Sequence, residues 1–346
     1  MSISEYLKDY SNRADDFLKA FFSRKSKEGS NIDLEIGRIL SDIEVYSRGG
    51  KKLRGALTQL GYQIAGGKDK KAILPVTCGI ELIHNFLLIH DDIIDQDNVR
   101  RGKPTLHIKY SKAKDKHFGI SKAIIVGDLA SNLAQELILA SKFSGRKLNK
   151  ALLVLNDMVQ KTVYGELLDI EFDHKQKVLW EDIMKVRTYK TAYYTFVMPL
   201  TVGAILGGAR DSKIKAIEKF GIPVGIAFQL MDDILGVFGD LKKTGKSNDS
   251  DITDGKKTFL FVKALELAPV KGKKYLLKWY GSKLLNSKRI NNVRQIIKES
   301  GSLEFSKNLG EKFANKGKVY IPAMTRDRGF QELLFGFADL VVSRDK

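Results

Sequence analysis

The chain has one cysteine and only six prolines in 346 residues. The lone cysteine, Cys78, excludes an internal disulfide and points to a reducing compartment. Scarce proline leaves long segments free to stay helical. No stretch reaches the roughly 18 uninterrupted apolar residues of a membrane span. The opening "MSISEYLKDYSNRADDFLKAFF" lacks the basic start, apolar run and small-residue cleavage site of a signal peptide. No linker rich in Pro, Gly or Ser divides the chain. These absences lead us to expect a cytoplasmic protein with no transmembrane segment.

Acidic residues are in deficit. Lys and Arg number 59 against 41 Asp and Glu, a net charge of +18. Such an excess favours anionic partners: nucleic acid, a membrane surface or a phosphorylated substrate. With no zinc-finger spacing, aromatic-basic RNA motif or basic heptad region, no nucleic-acid partner is expected. Much of the excess sits in clusters such as "KGKKYLLKWYGSKLLNSKR", which read as solvated lysine-rich surface.

What is present is helical periodicity. Apolar residues recur at helical spacing over 53–65, 75–95, 122–141, 150–171, 179–208, 213–239 and 257–266. Pairs such as Gly66-Gly67 and Gly207-Gly208 separate them, and Pro75 sits where a helix would begin. The pattern predicts an all-α protein of about ten helices, one bundle-like domain over residues 1–346. The tail beyond 270 keeps helical spacing and belongs to the same domain.

Two segments carry chemistry. "HDDIIDQDNVRRGKPTLH", residues 90–107, puts acids at the C-terminal end of a helix, where the helix dipole is already negative. "FQLMDDILGVFGD" repeats the arrangement, so something cationic is expected between the pairs. At about 100° per residue, Asp91 and Asp95 share a face with His84. Facing Asp232 and Asp233 across a cavity, they would form an oxygen-only site suited to magnesium completed by substrate phosphates. Basic residues follow in Arg100 and Arg101, in Lys51 and Arg54 of "RGGKKLRGAL", and in Lys190, Lys246 and Lys256. Arginine forks and lysine charges are phosphate ligands. Together the clusters imply a polyphosphate substrate. A competing reading takes Glu81/His84 and Glu171/His174 as the Glu-x-x-His pairs of a di-iron carboxylate bundle. It leaves the arginines and Asp pairs without a role.

The segments "GGKKLRGAL", "ELIHNFLLIHDDIIDQDNVRRGKPTLH", "GELLDIEF", "YKTAYYTFVMPLTVGAILGG", "GIAFQLMDDILGVFGD" and "GKSNDSDITDGKKT" occur in the order found in trans-isoprenyl diphosphate synthases. Over residues 45–260 the chain most resembles the archaeal-type geranylgeranyl diphosphate synthases. The resemblance implies an all-α homodimer of the isoprenoid synthase type, with a central cavity and three magnesium ions. By it, Asp91, Asp95 and Asp232 bind magnesium, and Asp92 and Asp233 support them. Arg100, Lys190, Lys246 and Lys256 hold an allylic diphosphate. Lys51, Arg54, His84 and Arg101 hold isopentenyl diphosphate, and Thr191 and Gln229 line the site where a carbocation forms. Phe228 and Tyr194 could supply dry cavity walls. No histidine–carboxylate pair stands out as a base, which leaves the departing diphosphate to take the proton.

Three positions depart from the family pattern: Gly236 stands where many relatives have Asp, Glu166 where Gln is usual, and Gly55 where Pro is usual. Asp97 lies off the motif and reads as a loop residue. Arg100 and Arg101 are not expected mainly to neutralise the acids, since the resemblance assigns them to different diphosphates. Phe86 and Leu87, just upstream of Asp91, are expected to set product length, an aromatic at 86 pointing to twenty carbons. A farnesyl or longer product, and a catalytically silent partner subunit, are the alternatives.

Overall fold

A computed structural model of the protein describes residues 1–175, 178–239 and 248–343. Its helices gather into two compact units, Met1–Leu153 with Pro199–Arg210, and Val154–Met198 with Asp211–Lys346.

In the first unit the chain runs through α1 (Ile3–Ser30), α2 (Leu34–Ser47), α3 (Leu53–Ile64) and α4 (Lys70–Ile94). A two-stranded hairpin follows, β1 (Val99–Arg100) and β2 (Lys103–Pro104), then α5 (Leu106–Ser111), α6 (Lys116–Leu139) and the start of α7 (Gly145–His174). α4 packs along α6 and α3, burying Ile73, Ile80, Leu82 and Ile89. It starts earlier than Pro75 implies. The Asp69 carboxylate accepts from the N–H groups of Lys71 (2.9 Å) and Ala72 (3.0 Å), and this cap outweighs the proline signal. Pro75 therefore lies inside the helix.

The second unit holds the rest of α7, then α8 (Trp180–Val186), a π-helical stretch (Arg187–Val197) and the first residue of α9 (Met198–Gly207). Next comes α10 (Asp211–Phe238). Beyond it come α11 (Ser250–Thr253), α12 (Phe259–Leu267), α13 (Val270–Trp279), α14 (Ser287–Glu299), α15 (Ser302–Lys318), α16 (Ile321–Met324) and α17 (Arg328–Val342). Met231, Ile234 and Val237 of α10 pack with Leu260, Leu276, Val293 and Ile297 into one core.

The all-α reading holds, and each of the seven periodic segments is helical. The tail divides into more and shorter helices than the periodicity showed. By length and composition α4 and α10 could each cross a bilayer, but 61% and 72% of their most apolar windows are buried. Their apolarity serves the protein core.

Gly55, read as a departure from the family pattern, has a local cause. A Cβ there would meet the Tyr10 hydroxyl at 1.8 Å, and Tyr10 is fully buried. The Gly55 N–H also donates to Glu81 Oε1 at 2.6 Å, a bond proline cannot make. Gly55→Ala is expected to cost about 2 kcal/mol or more by overpacking, and Tyr10→Phe in the same chain to recover most of it. Chemical denaturation of both variants checks this; an unchanged midpoint for Gly55→Ala removes the packing argument.

Candidate active site

The first acid pair lies in the last turn of α4. Asp97 N–H bonds Asp92 O (2.9 Å) and Gln96 N–H bonds Ile93 O (3.3 Å), with Gln96 at φ 54°. This double bond with a left-handed residue terminates the helix and turns the chain into the hairpin. The hairpin turn is Arg101-Gly102, both at positive φ (51° and 73°), as a two-residue connection of this kind requires. Arg100 on β1 is thereby carried back over the acids. Its Nε donates to Asp92 Oδ1, and its Nη2 to Asp91 Oδ2 and Asp97 Oδ2, both 3.2 Å. Tyr46 on α2 donates its hydroxyl to the other Asp92 oxygen at 2.8 Å.

The two aspartates thus differ. Asp92 is 1% exposed; burial raises its pKa, against the Arg100 charge that lowers it. Asp91 and Asp95 are only partly buried and stand one helical turn apart. Asp97, read as a loop residue, is part of the Arg100 cluster. Arg100 pairs with all three of these acids, Asp91, Asp92 and Asp97.

A basic cluster sits beside them. Arg54 Nη1 lies 3.2 Å from His84 Nε2. A guanidinium only donates, so Nε2 accepts and Nδ1 carries the proton. Burial holds His84 well below its ordinary pKa, reinforced by Arg54, Arg101 and Arg100, so the ring is neutral. Arg101 Nη1 donates to the carbonyls of Tyr46 (3.2 Å) and Arg48 (3.3 Å). Lys52, which sequence reasoning passed over, shapes this loop. It has φ 42°, donates to Ser47 O (2.8 Å) and Gly49 O (3.2 Å), and pairs with Asp15 at 2.9 Å. It therefore anchors the loop that carries Lys51 and leads to Arg54.

In the second unit the π-helical stretch carries Lys190 and Thr191. Gly165 on α7 and Gly225 on α10 let it approach closely: a Cβ on Gly165 would lie 2.1 Å from Lys190 N, and one on Gly225 2.4 Å from Ala192 Cα. Lys190 Nζ donates to Glu166 (3.0 Å) and Asp169 (2.8 Å). Burial works against the Asp169 charge, but Lys190 and Arg187 outweigh it and lower its pKa, with Lys256 adding to the effect. Thr191 Oγ1 bonds Gln229 Oε1 (2.8 Å), Gln229 Nε2 bonds Asp233 Oδ1 (3.0 Å), and Arg187 Nη2 bonds Asp233 Oδ2 (2.9 Å). Asp233 is 3% exposed, whereas Asp232 is only partly buried. The pair does not end α10, which continues to Phe238.

The departures Gly236 and Glu166 find local explanations. A Cβ on Gly236 would meet the Asp251 carboxylate at 2.2 Å, so the space left by the missing Asp side chain borders another acid. Glu166 supplies one of the two carboxylates on Lys190. Tyr46, Arg187 and Asp251 were not singled out from sequence, since nothing in their local spacing marks them. Tyr194 is buried, and Phe228 meets Phe196 edge-on at 5.9 Å between ring centres. Lys246 lies outside the described residues.

The donors at both acid pairs are carboxylate oxygens, which suit magnesium, an ion that keeps waters and takes phosphate oxygens. Glu81 is engaged by Gly55 and His84 by a guanidinium; the His174 side chain lies outside the described residues.

The polyprenyl synthetase family model matches residues 39–299. The geranylgeranyl diphosphate synthase of Sulfolobus acidocaldarius is 34% identical over 275 residues, covering 79% of this chain and 80% of that one. A geranylfarnesyl diphosphate synthase of Aeropyrum pernix is 32% identical, covering 88% and 94%. The solved geranylgeranyl pyrophosphate synthase of Corynebacterium glutamicum, complexed with isoprenyl diphosphate and magnesium, superposes with a TM-score of 0.92 at 28% identity, covering 98% and 99%.

Burial pushes the Asp233 carboxyl up to about 6, even against the Arg187 guanidinium that pulls it down. An acid with a raised folded pKa binds more protons folded than unfolded, so its contribution to stability falls as pH rises from the ordinary Asp range through about 6. Arg187→Met removes the opposing charge and moves that carboxyl further up. Its cost is expected to grow with pH, reaching about 3 kcal/mol at pH 8 and less at pH 5. Denaturant titrations at both pH values check this; a cost independent of pH rules out the pair as its source.

Proposed function

The chain belongs to the polyprenyl synthetase family, and from that premise we propose that it makes trans-geranylgeranyl diphosphate, by adding isopentenyl diphosphate to dimethylallyl, geranyl or farnesyl diphosphate. It is a trans-prenyltransferase of a magnesium-dependent family. The observation that carries the reading is the split acid pair: Asp92 is locked inward by Arg100 and Tyr46, while Asp91 and Asp95 stand one turn apart on the partly exposed side.

The reaction ionises the allylic C–O bond, joins the isopentenyl double bond to the allylic carbon and loses a proton to restore an allylic diphosphate. Asp91, Asp95 and Asp232 would hold magnesium, three ions in our reading, and the metal would supply positive charge to the departing diphosphate. Arg100, Lys190, Lys246 and Lys256 hold the allylic diphosphate as its negative charge grows. Lys51, Arg54 and Arg101 grip the isopentenyl diphosphate, and neutral His84 offers it the Nδ1 proton. Asp92 and Asp233 keep their neighbours in place. Thr191 and Gln229, already bonded to each other, turn neutral polar groups toward the forming cation. Conversion of one diphosphate to the longer one needs no histidine base, because the released diphosphate takes the proton.

The family match runs through both compact units, which supports reading residues 1–346 as one synthase domain. Apolar side chains stay exposed on α6 (Ile125, 66%) and α7 (Leu153, 71%; Leu167, 56%), and we assign these faces to a homodimer contact. A cytoplasmic site of action accords with the one buried thiol, Cys78.

Product length rests on Phe86 and Leu87. The Phe86 ring meets His90 edge-on at 5.0 Å, and His90 Nε2 is 3.1 Å from the Ile124 carbonyl of α6. The Phe86 ring therefore packs against a histidine that is itself bonded to α6.

Incubation of labelled isopentenyl and farnesyl diphosphates with magnesium, resolved by chromatography, is expected to yield the twenty-carbon diphosphate. Asp91→Ala should lower turnover at least about a hundredfold. Failure to lengthen farnesyl diphosphate sinks the enzyme reading, and an unchanged Asp91→Ala supports a silent subunit. A helical turn of about 5.4 Å matches one five-carbon unit, so Phe86→Ala should shift the main product to twenty-five carbons. A product that stays at twenty removes Phe86 from the length determinant.

A further inference from the structure

The lysine-rich segment after residue 266 carries none of the residues assigned to the reaction. Residues 267–298 contain nine Lys and Arg and no Asp or Glu. Half of the net charge of +18 arises in this short stretch. α13 lies in its first half and is anchored through one face. Gly272 and Leu276 are buried, and Leu276 joins the core with Val293 and Ile297.

The outward face of α13 is not simply polar. Val270 is 71% exposed and Leu277 69%, and seven residues apart they lie within about 20° of each other on the helix. Lys274, Lys278 and Lys271 flank them and are all exposed. Leu284, 70% exposed, continues the apolar row into the next turn beside Lys283. A purely solvated lysine surface has no use for three large apolar side chains at its centre. An apolar ridge bordered by cations is the form that lies in a bilayer interface, with side chains among the acyl boundaries and lysines at the headgroups.

We propose that this face of α13 and the following turn docks on an anionic membrane surface. The aromatic residues argue against single-stranded nucleic acid, which stacks its bases on open aromatic faces. The Arg289 guanidinium covers the Trp279 ring at 3.8 Å, and Tyr280 is stacked on Phe261 at 3.8 Å. Both rings are therefore occupied. A surface of this kind would also bring the enzyme to where a long-chain prenyl product partitions, although the charges and exposures stand without that reaction.

The test is cosedimentation of the full chain with phosphatidylcholine vesicles, and with vesicles in which about one third of that lipid is phosphatidylglycerol. Partitioning is expected to be at least about tenfold stronger to the anionic vesicles. Lys271→Glu/Lys274→Glu/Lys278→Glu should abolish that preference. Val270→Ser/Leu277→Ser, with every charge kept, should weaken binding about fivefold. Lys112→Glu/Lys114→Glu/Lys116→Glu makes the same charge change on exposed lysines around the start of α6 and should leave binding within about twofold. Prenyl transfer on soluble substrates should be unchanged in all three variants, which separates a failure of this surface from a failure of the proposed reaction. Equal binding to both vesicle types overturns the proposal. So does an equal loss in the α6 control, which would reduce the effect to net charge. Binding to polyuridylate that exceeds vesicle binding, with the Ser variant unaffected, overturns it in favour of a nucleic-acid surface.

Discussion

A carboxylate taken out of water must find a charged or hydrogen-bonding partner, because leaving it unpaired costs several kcal/mol. Both aspartate pairs meet that constraint in the same way. The second member is buried and fastened by an arginine, Asp92 by Arg100 and Asp233 by Arg187. A further neutral group takes the other oxygen, Tyr46 in one case and Gln229 in the other. Each first member keeps part of its surface. A pair of adjacent acids is therefore divided, the inner one buried and fastened and the outer one left partly exposed. The arginine does two things at once: it neutralises the buried charge and defines the orientation from which the outer carboxylate projects.

Much of this was legible in the residues. Long helices follow from apolar spacing with little proline, and the two Asp pairs announce themselves as acids on otherwise apolar helices. What local spacing could not show is which distant residue completes each one. Tyr46 lies 46 positions from Asp92, and Arg187 lies 46 positions from Asp233. Neither carries a mark in its own neighbourhood. The helix-end argument also applied unequally: α4 stops just after its pair, by a Gln96 turn, whereas α10 runs on past Asp233. Pro75 also misled, since the Asp69 cap was the stronger signal.

Close backbone approach explains how the second unit gathers its groups. The π-helical stretch passes Gly165 on one side and Gly225 on the other, both at distances that exclude a Cβ. From that position Lys190 reaches the carboxylates of α7, and Thr191 and Arg187 reach Gln229 and Asp233 of α10. Irregular helix of this kind recurs at functional sites. Here the bonds that it permits run in sequence from Thr191 through Gln229 and Asp233 to Arg187. A shift in any one member would be felt by the others.

The departures from the family pattern then follow from the same demand for space and pairing. Gly236 lacks a carboxylate of its own, and the Asp251 carboxylate lies where a side chain at 236 would begin. Asp251 is also close enough to Arg187 to favour its charged form, so the acid lost at one position is present from another. At Gly55 the volume goes to the Tyr10 hydroxyl, and the N–H serves the buried Glu81. Glu166 completes a two-carboxylate seat for Lys190. Each exchange looks like a defect when the motif is read as a string. In space each alters which neighbour supplies a charge or fills a volume, and the electrostatic plan of the site survives because that plan constrains positions of charge rather than identities of residues.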